Sequence, residues 1–336
     1  MELVPNFSLL PYNTFGLDQK AKAFYSVNDE NELLALLSKI KDNIYVLGGG
    51  SNILLTKDVD GIVLHNNIQG ITILEQMNGS TLVEVSGGVN WHEFVLFTLS
   101  KNLGGLENLS LIPGTVGAAP IQNIGAYGVE QQDNFVYLEY VDLETLKKYR
   151  CYKADCGFGY RESVFKHALR QKTFITKVAY NLTETDHVLH TEYGAIDQVL
   201  KEKNIDNPTI KDVSNAVISI RQSKLPNPNE IGNAGSFFKN PVISQNQFED
   251  LQTLYPMMPF YPLNESNVKI PAGWLIETAG LKGYRQGNVG VHNRQALVLV
   301  HFGNAKGKDV LDLANHVIDS VFKKFQIELH PEVNIW

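Results

Sequence analysis

Glycine is concentrated in two short stretches of this chain, and these stretches restrict its possible folds more than any other feature. The first, residues 48–52, reads GGGSN and lies between two β-like runs, 44–47 and 53–55; we call it the glycine turn. The second, residues 103–128, contains six glycines and three alanines; we call it the glycine loop. Glycine tolerates positive φ and lets other atoms approach the backbone closely. Both stretches are therefore predicted to be tight, specialised segments.

The glycine turn does not fit a dinucleotide-binding fold of the Rossmann type. A GxGxxG fingerprint that begins at Gly48 needs glycine at position 53, where the chain has Ile53, and no helix is predicted to begin there. Two interpretations remain open. Successive N–H groups of a glycine-rich turn can form a concave nest for an anion, or the segment is a plain tight hairpin.

The glycine loop is long, lacks periodicity and yet contains many apolar residues. Loops of this length inside a compact domain are uncommon unless they are functional. Its small residues would let the main chain lie against a large flat ligand, and Gln122 and Asn123 could supply directed hydrogen bonds. An ordinary surface loop would carry more charge. The glycine loop is therefore predicted to bind a ligand.

Composition excludes several classes of protein. The chain has 336 residues, 43% of them hydrophobic and 19% charged, which suggests about two globular domains. A net charge of -7 argues against a protein that coats nucleic acid or an anionic membrane. No apolar run approaches ~20 residues and no signal-peptide pattern opens the chain, so a cytoplasmic protein is expected. Cys151 and Cys156 form no CxxC pair and are expected to be free thiols.

Other site patterns are incomplete. His92 and Glu93 would need a second histidine where the chain has Leu96, and His187 and His190 have no third candidate ligand nearby. The GxSxG motif is absent around Ser236, and the GxxxxGK[ST] motif is absent from the chain. We therefore expect no metal, no serine hydrolase and no P-loop nucleotide triphosphatase.

Hydrophobic periodicity predicts a mixed α+β chain. Asn28 or Asp29 can cap a first helix, and Asn90 with Glu93 resembles a capping box for a second. The predicted helices are 29–40, 90–104, 210–226, 245–255, 272–279 and 308–325. The predicted strands are 44–47, 53–55, 61–65, 71–74, 82–85, 135–152, 173–182 and 296–301, with a strand-like tail at 330–336.

An ordered series of segments extends over nearly the whole chain. They are GGGSN at 48–52, IPGTVGAAPIQNIGAYG at 112–128, FGYRES at 158–163, KLPNP at 224–228, GNAGSFFKNP at 232–241, AGWLIETAGLKG at 272–283 and HPEV at 330–333. In this order they resemble the UDP-N-acetylenolpyruvoylglucosamine reductases, also called UDP-N-acetylmuramate dehydrogenases. The segment LHTEYGAI is similar to the longer, type I form of that family.

The resemblance implies an α+β fold with a two-part FAD-binding domain of the vanillyl-alcohol-oxidase (PCMH) type and a C-terminal α/β substrate-binding domain. The implied boundaries are 1–67 and 68–220 for the two FAD-binding parts, 221–325 for the substrate domain and 326–336 for a strand that returns to the active site. The residues that would hold FAD lie in the two glycine stretches: Gly48, Gly49, Gly50, Ser51, Asn52, Pro113, Gly114, Thr115, Gly117, Ala118, Gln122, Asn123, Gly125, Ala126, Tyr127 and Gly128.

The family transfers a hydride from NADPH through FAD to the enolpyruvyl group of UDP-N-acetylglucosamine-enolpyruvate, giving UDP-N-acetylmuramate for peptidoglycan. Such a hydride addition leaves negative charge that needs a cationic clamp and a proton donor. By similarity, Arg161 is the clamp, since its planar fork can grip a carboxylate, and Ser236 is the proton donor. Glu332 is the second catalytic carboxyl group that the resemblance implies.

The UDP-sugar carries a diphosphate, which in this acidic protein must meet local positive charge from residues such as Arg161 and Lys239. The implied substrate residues are Tyr160, Tyr193, Arg221, Lys224, Asn240, Tyr261 and Gln295. One departure stands out. Family members often carry arginine two residues after the catalytic glutamate, and this chain has Asn334.

Two competing functions are considered. A flavoprotein oxidase of small alcohols could use the same FAD fold with molecular oxygen as acceptor, because fold does not fix function. A catalytically silent sugar-nucleotide-binding protein is the second competitor. The GNAGSFFKNP serine and the HPEV glutamate favour the reductase. It is expected to act as a monomer on a small-molecule substrate, without nucleic acid or membrane insertion.

Overall fold

The computed structural model describes residues 2–193 and 195–336. By its packing the chain divides into two compact units. The first unit comprises residues 2–7, 20–50 and the described part of 59–223, and the second comprises 8–19, 51–58 and 224–336. The glycine turn contributes residues to both units, since the boundary falls after Gly50.

Helices and strands are interspersed along the described part of the chain. The α-helices are α1 (Glu30–Leu37), α2 (Trp91–Ser100), α3 (Ile196–Glu202), α4 (Ile210–Lys224), α5 (Gln245–Leu254), α6 (Ala272–Thr278) and α7 (Gly307–Phe325). The strands before residue 223 are β1 (Val4–Ser8), β2 (Lys20–Val27), β3 (Ile44–Leu47), β4 (Ile53–Leu54), β5 (Val59–Asn66), β6 (Ile71–Met77), β7 (Ser80–Ser86), β8 (Gly125–Ala126), β9 (Val129–Glu130), β10 (Phe135–Asp142), β11 (Lys148–Tyr152) and β12 (Thr173–Thr183). The later strands are β13 (Gly232–Ser236), β14 (Val242–Ser244), β15 (Tyr261–Asn264), β16 (Asn267–Lys269), β17 (Arg285–Gln286), β18 (Val289–Val291), β19 (Val298–His301) and β20 (Asn334–Ile335).

The first unit contains a four-stranded sheet of order β1-β2-β5-β3, in which β5 pairs in parallel with β2 and β3. Helix α1 begins where Asp29 accepts a hydrogen bond from the N–H of Glu32, at 2.8 Å. Its apolar side buries Leu33 and Leu37 against Ile62 and Leu64 of β5. Strand β3 of this sheet ends at Leu47, and the glycine turn begins at the next residue, Gly48.

A second sheet of the first unit is antiparallel and has the order β11-β10-β12-β7-β6. Helix α2 begins at Asn90, whose side chain accepts from the N–H of Glu93 at 3.1 Å. Trp91 and Phe94 of this helix pack with Tyr180 of β12 in one fully buried aromatic cluster. The glycine loop begins shortly after the end of α2, so its start is attached to a helix that packs in this buried aromatic cluster.

The second unit is built on the sheet β13-β19-β18-β17, with a smaller sheet of order β14-β16-β15. Helix α7 buries Val310, Leu313, Val317 and Val321 at helical spacing in its core. The last strand, β20, pairs in parallel with β4, the strand that follows the glycine turn. The chain segment that contains Glu332 is thereby fixed beside residues 280 positions earlier.

The six predicted helices are confirmed as α1, α2, α4, α5, α6 and α7, within a few residues except at the C-terminal ends of α1 and α2. The single predicted run 135–152 is two strands, β10 and β11, separated by a turn in which Asp142 accepts from the N–H of Thr145 at 2.7 Å. Helix α3 and strands β1, β2, β8, β9 and β13–β18 have no counterpart in the sequence prediction. The hairpin interpretation of the glycine turn is wrong, because β3 pairs with β5 whereas β4 pairs with β20.

The two cysteines give a prediction about chemical reactivity. Cys151 and Cys156 are buried free thiols with their Sγ atoms 3.4 Å apart, and burial raises the pKa of both. Since the thiolate is the reactive form, we expect a thiol reagent at about pH 8 to modify neither cysteine in the folded protein and both in denaturant. Rapid modification without denaturant would contradict this packing.

Candidate active site

The glycine turn and the glycine loop are in direct main-chain contact in the first unit. A Cβ atom at Gly48 would lie 2.6 Å from Oγ1 of Thr115, and one at Gly49 would lie 3.0 Å from Cα of Gly114. Real Cβ atoms essentially never approach as closely as 2.6 Å, and 3.0 Å is tighter than most real Cβ contacts, so a larger residue would require a shift of the Thr115 side chain at Gly48 or of the loop main chain at Gly49. Gly50 has φ of 62° and turns the chain away from this contact.

Four residues other than glycine at this end of the first unit have backbone conformations with positive φ. They are Leu111 (59°), Asn123 (43°), Tyr127 (52°) and Arg161 (56°). Such conformations are uncommon for residues with a Cβ atom and cluster at functional sites, where the surrounding structure enforces them. Three of the four lie in the glycine loop, and the fourth is the predicted carboxylate clamp.

Leu111 is held by a histidine that the sequence analysis considered only as a metal ligand. Nδ1 of His92 accepts a hydrogen bond from the N–H of Leu111 at 3.0 Å. Burial lowers the pKa of His92, and the positive charge of Arg221 lowers this pKa further. Both effects favour the neutral ring, which is the form that can accept this bond.

Asn123 is fully buried, and its side chain is used within the protein. Its Nδ2 donates to Oε2 of Glu130 at 2.7 Å and to the carbonyl of Gly159 at 3.0 Å. Its Oδ1 accepts from Gln131 and Gln132. Two donated and two accepted bonds fill the capacity of an amide. This side chain therefore anchors the loop to the turn that carries Arg161, and a contact of Asn123 with the cofactor, which stays a prediction, would use its main chain.

Arg161 lies at the tip of a tight turn. Gly159 and Glu162 exchange two main-chain hydrogen bonds of 3.1 Å, which leaves Tyr160 and Arg161 as the two tip residues. Nη2 of Arg161 donates to the carbonyl of Gly125 at 2.7 Å, and its guanidinium lies 5.5 Å from the ring centroid of Tyr160. The predicted clamp is therefore fixed to the glycine loop itself.

A second guanidinium lies nearby, that of Arg221 on α4. Burial lowers its pKa, and both Tyr127 and the charge of Arg161 are close enough to affect this pKa. The buried Nε atom of Arg221 has no hydrogen-bond partner among the described residues. Arg161 and Arg221 are neighbouring cations, and Arg221 has a buried donor that is unsatisfied in the described part of the chain. Both features favour the binding of an anionic group.

Tyr127 and Gly128 form the tip of the β8–β9 hairpin, both with positive φ. A Cβ atom at Gly128 would lie 3.4 Å from Cβ of Tyr193, so the predicted substrate residue Tyr193 packs on this hairpin. The side chain of Tyr193 is 42% exposed. Within the first unit, the structure thus brings together Tyr127, Gly128, Arg161, Tyr193 and Arg221.

The second unit brings together the other two predicted catalytic residues. Ser236 is exposed at the end of β13 and is followed by the buried residues Phe237 and Phe238. The N–H of Glu332 donates to the carbonyl of Phe237 at 2.8 Å, and Phe238 forms an isolated bridge with Pro331. The segment that contains Glu332 is therefore paired with the residues that directly follow Ser236.

The other predicted substrate residues of the second unit have varied surroundings. Oδ1 of Asn240 accepts from the N–H of Ala272 at 2.9 Å and so caps the start of α6. Tyr261 is 40% exposed on β15, with Nζ of Lys269 at 5.6 Å from its ring centroid. Gln295 accepts weakly from the N–H of Leu297, at 3.4 Å, and Lys224 ends α4 in an exposed position.

The residues of the first unit fit FAD. The glycine turn and residues 113–115 come close together with no side chain between them at Gly49 and Gly114, and the guanidinium groups of Arg161 and Arg221, beside the later part of the glycine loop, could balance an anionic group. Oγ1 of Thr115 is buried without a hydrogen-bond partner in the described part of the chain. Across residues 2–193 and 195–336, no group of three or more metal-ligating side chains occurs. None of the helices described there has the length and apolar character to cross a membrane.

Comparisons with known proteins agree with this description. Residues 227–336 match the model of the UDP-N-acetylenolpyruvoylglucosamine reductase C-terminal domain, and residues 21–145 match an FAD-binding domain. The UDP-N-acetylenolpyruvoylglucosamine reductase of Flavobacterium johnsoniae is 50% identical over 336 residues, which is 100% of both chains. That of Neisseria meningitidis is 48% identical and covers 97% of this chain and 95% of its own.

Solved structures show the same relationship. The crystal structure of the reductase from Thermus caldophilus has a TM-score of 0.68 and 25% identity, with coverage of 100% of this chain and 98% of that one. A solvent-stable cholesterol oxidase has a TM-score of 0.50 at 10% identity, covering 98% of this chain and 86% of that one, and shares the fold alone.

The matched domain and the contact between the two glycine stretches define a flavoprotein with an FAD-binding domain of the vanillyl-alcohol-oxidase type. The predicted fold class is thereby confirmed. The chain belongs to the UDP-N-acetylenolpyruvoylglucosamine reductase family. The predicted family membership is confirmed as well.

His92 gives a prediction about pH. Because its folded-state pKa lies below the ordinary value of 6.5, the unfolded chain takes up the proton first as the pH falls. The stability due to neutral His92 is fully present above about pH 6.5 and is lost as the pH falls toward the folded-state pKa. His92→Asn keeps an acceptor for Leu111 and removes the titration. Its free energy of unfolding should fall less between about pH 7.5 and about pH 5.5 than that of the wild type.

Urea unfolding at both pH values measures this difference. His316→Asn, on the exposed side of α7, is the control and should behave as the wild type. Equal losses for His92→Asn and the wild type would show that His92 does not carry the effect.

Proposed function

We propose that this chain reduces the enolpyruvyl group of UDP-N-acetylglucosamine-enolpyruvate to give UDP-N-acetylmuramate for peptidoglycan, with FAD as cofactor and NADPH as reductant. The observation that carries the proposal is the 50% identity to a reductase of this name over all 336 residues. When bound, FAD supplies a two-electron carrier between NADPH and the substrate. The residues of the chain then have to bind the substrate, orient it and supply its proton.

Arg161 is the proposed clamp for the substrate carboxylate. Hydride addition to the terminal enolpyruvyl carbon places negative charge on the neighbouring carbon and its carboxylate. A guanidinium that already stands in a fixed direction, bonded to the carbonyl of Gly125 at 2.7 Å, loses little freedom when it grips that carboxylate. The strained backbone at Arg161 is consistent with such a function.

Ser236 is the proposed proton donor to the carbanionic carbon, and Glu332 is the proposed catalytic carboxyl group. A serine hydroxyl is a weak acid in water, but the carbanion is a much stronger base and a dry site favours the transfer. The position of Glu332 beside the end of β13 supports a joint function of these two residues.

For the rest of the substrate we propose Tyr160, Tyr193, Lys224, Tyr261 and Gln295 as contacts. Tyr193 and Tyr261 are the two with large exposed aromatic side chains, which suits a sugar nucleotide. Arg221 is proposed as a source of positive charge for an anionic group. The main-chain groups of the glycine turn and the glycine loop are proposed to hold FAD.

A flavoprotein oxidase of small alcohols is not favoured, because the reductase C-terminal domain model matches residues 227–336. We propose the cytoplasm as the compartment, which suits two neighbouring cysteines that remain unbridged. We also propose a monomer, since one chain carries all three proposed catalytic residues.

Ser236→Ala tests the proton donor. Bleaching of the flavin absorbance by NADPH should be nearly unchanged, whereas its return on addition of the enolpyruvyl UDP-sugar should slow by about 10²-fold or more. Anaerobic stopped-flow absorbance measures both steps. Ser320→Ala on α7 is the matched control and should leave both rates unchanged. Unimpaired turnover of Ser236→Ala would remove this residue from its proposed function.

Arg161→Lys tests the clamp, because lysine keeps the charge but lacks the fork. The substrate half-reaction should slow by roughly thirtyfold, about 2 kcal/mol for a hydrogen bond to a charged group. The NADPH half-reaction should be little affected. Arg150→Lys, in an exposed pair with Glu139, is the matched control. A rate equal to that of the control would exclude Arg161 as the clamp.

A further inference from the structure

We propose that Asn52 and Asn334 are positioning residues for Glu332. The inference rests on the proposed function, because it concerns the catalytic carboxyl group of that reaction. Asn52 is one of the predicted cofactor residues, whereas Asn334 has no predicted function. All the contacts that carry the inference lie within the second unit.

The main chain of Glu332 is held on both sides. Its N–H donates to the carbonyl of Phe237 at 2.8 Å, directly after Ser236. Its carbonyl accepts from Nδ2 of Asn52 at 3.2 Å. The peptide groups on either side of the Glu332 side chain are therefore fixed, one to the serine strand and the other to the last residue of the glycine turn.

Asn334 in turn donates hydrogen bonds to the main chain of Asn52. The N–H and the Nδ2 of Asn334 both donate to the carbonyl of Asn52, at 3.0 and 3.1 Å. Beyond it, β20 continues its parallel pairing with β4, and the N–H of Trp336 donates to the carbonyl of Leu54 at 2.9 Å. Val333, between Glu332 and Asn334, is buried in the core of the unit. The side chain of Asn334 is thus committed to this strand pairing.

Position decides how much a catalytic carboxyl group contributes to the rate. A donor must lie within hydrogen-bond reach of the accepting atom, and a displacement of about 1 Å can cost ~10²-fold in rate. Glu332 is near the end of the chain segment that β20 fixes, so loss of the bond from Asn52 would release it on one side. The two asparagines therefore act on catalysis through the placement of Glu332.

The experiment compares Asn52→Ala and Asn334→Ala in the FAD-loaded enzyme. The substrate half-reaction should slow by about tenfold for Asn52→Ala and about threefold for Asn334→Ala, which keeps its main-chain donor. The NADPH half-reaction and the flavin content of Asn334→Ala should stay near wild type, and the rates of Asn52→Ala are measured per bound flavin, because Asn52 lies in the glycine turn. Hydrogen exchange of residues 330–336 should rise in both variants. Asn315→Ala, exposed on α7, is the matched control.

A double-variant cycle separates positioning from general damage. If Asn52 acts through Glu332, Asn52→Ala should add little to the loss caused by Glu332→Gln, because the contribution of the Glu332 carboxyl group is already absent. Equal slowing in both backgrounds, no effect of Asn52→Ala, or no loss in Glu332→Gln would each overturn the inference. If the wild-type flavin were bleached by NADPH but not restored by the enolpyruvyl UDP-sugar, the proposed function itself would fail and this inference with it.

Discussion

The close main-chain approach of residues 48–49 to residues 114–115 is the contact on which the proposed cofactor site depends. A methyl group at Gly49 would meet Cα of Gly114 at 3.0 Å, so the two segments adjoin only because neither has a side chain at this point. This contact sets the position of the glycine loop relative to β3. The later parts of the loop then place Tyr127 and, through Gly125, the guanidinium of Arg161.

Sequence patterns predicted the elements whose signals are local. Capping residues and helical spacing located α1, α2 and α7, and the glycine stretches indicated where a ligand would bind. The patterns did not predict which strands pair, because pairing depends on residues far apart in the chain: β4 pairs with β20, and nothing in residues 53–54 identifies residues 334–335 as the partner. For the same reason the anchoring by Asn123 and the acceptor function of His92 were missed. A buried asparagine in a loop is a usable signal, but only its partners show whether it is directed at a ligand or at the protein.

The strained residues of the glycine loop have an energetic consequence. Each positive φ at a residue with a Cβ atom costs about 1–3 kcal/mol, and single hydrogen bonds such as that from Leu111 to His92 return about 0.5–1.5 kcal/mol. A single bond of this kind offsets only part of the strain at Leu111, whereas the four side-chain bonds of Asn123 are enough to offset the strain at that residue. A ligand that binds only the folded state adds stability to that state. The strain is thus best explained if the loop is shaped for its bound cofactor.

The FAD-binding fold by itself does not decide what such a protein reduces or oxidises. A cholesterol oxidase shares the fold at a TM-score of 0.50, so an argument from architecture alone would leave oxidase and reductase equally open. The distinction lies in the second unit. Strand β13 ends there at the exposed Ser236, and the chain segment that contains Glu332 pairs with the residues that directly follow this serine. An enolpyruvyl group needs a proton after it receives a hydride, whereas an alcohol that is oxidised must lose one. Ser236 and Glu332 lie in two neighbouring segments that main-chain hydrogen bonds hold together, which suits the first of these tasks, and residues 232–241 and 330–334, rather than the glycine turn, therefore carry the proposed activity.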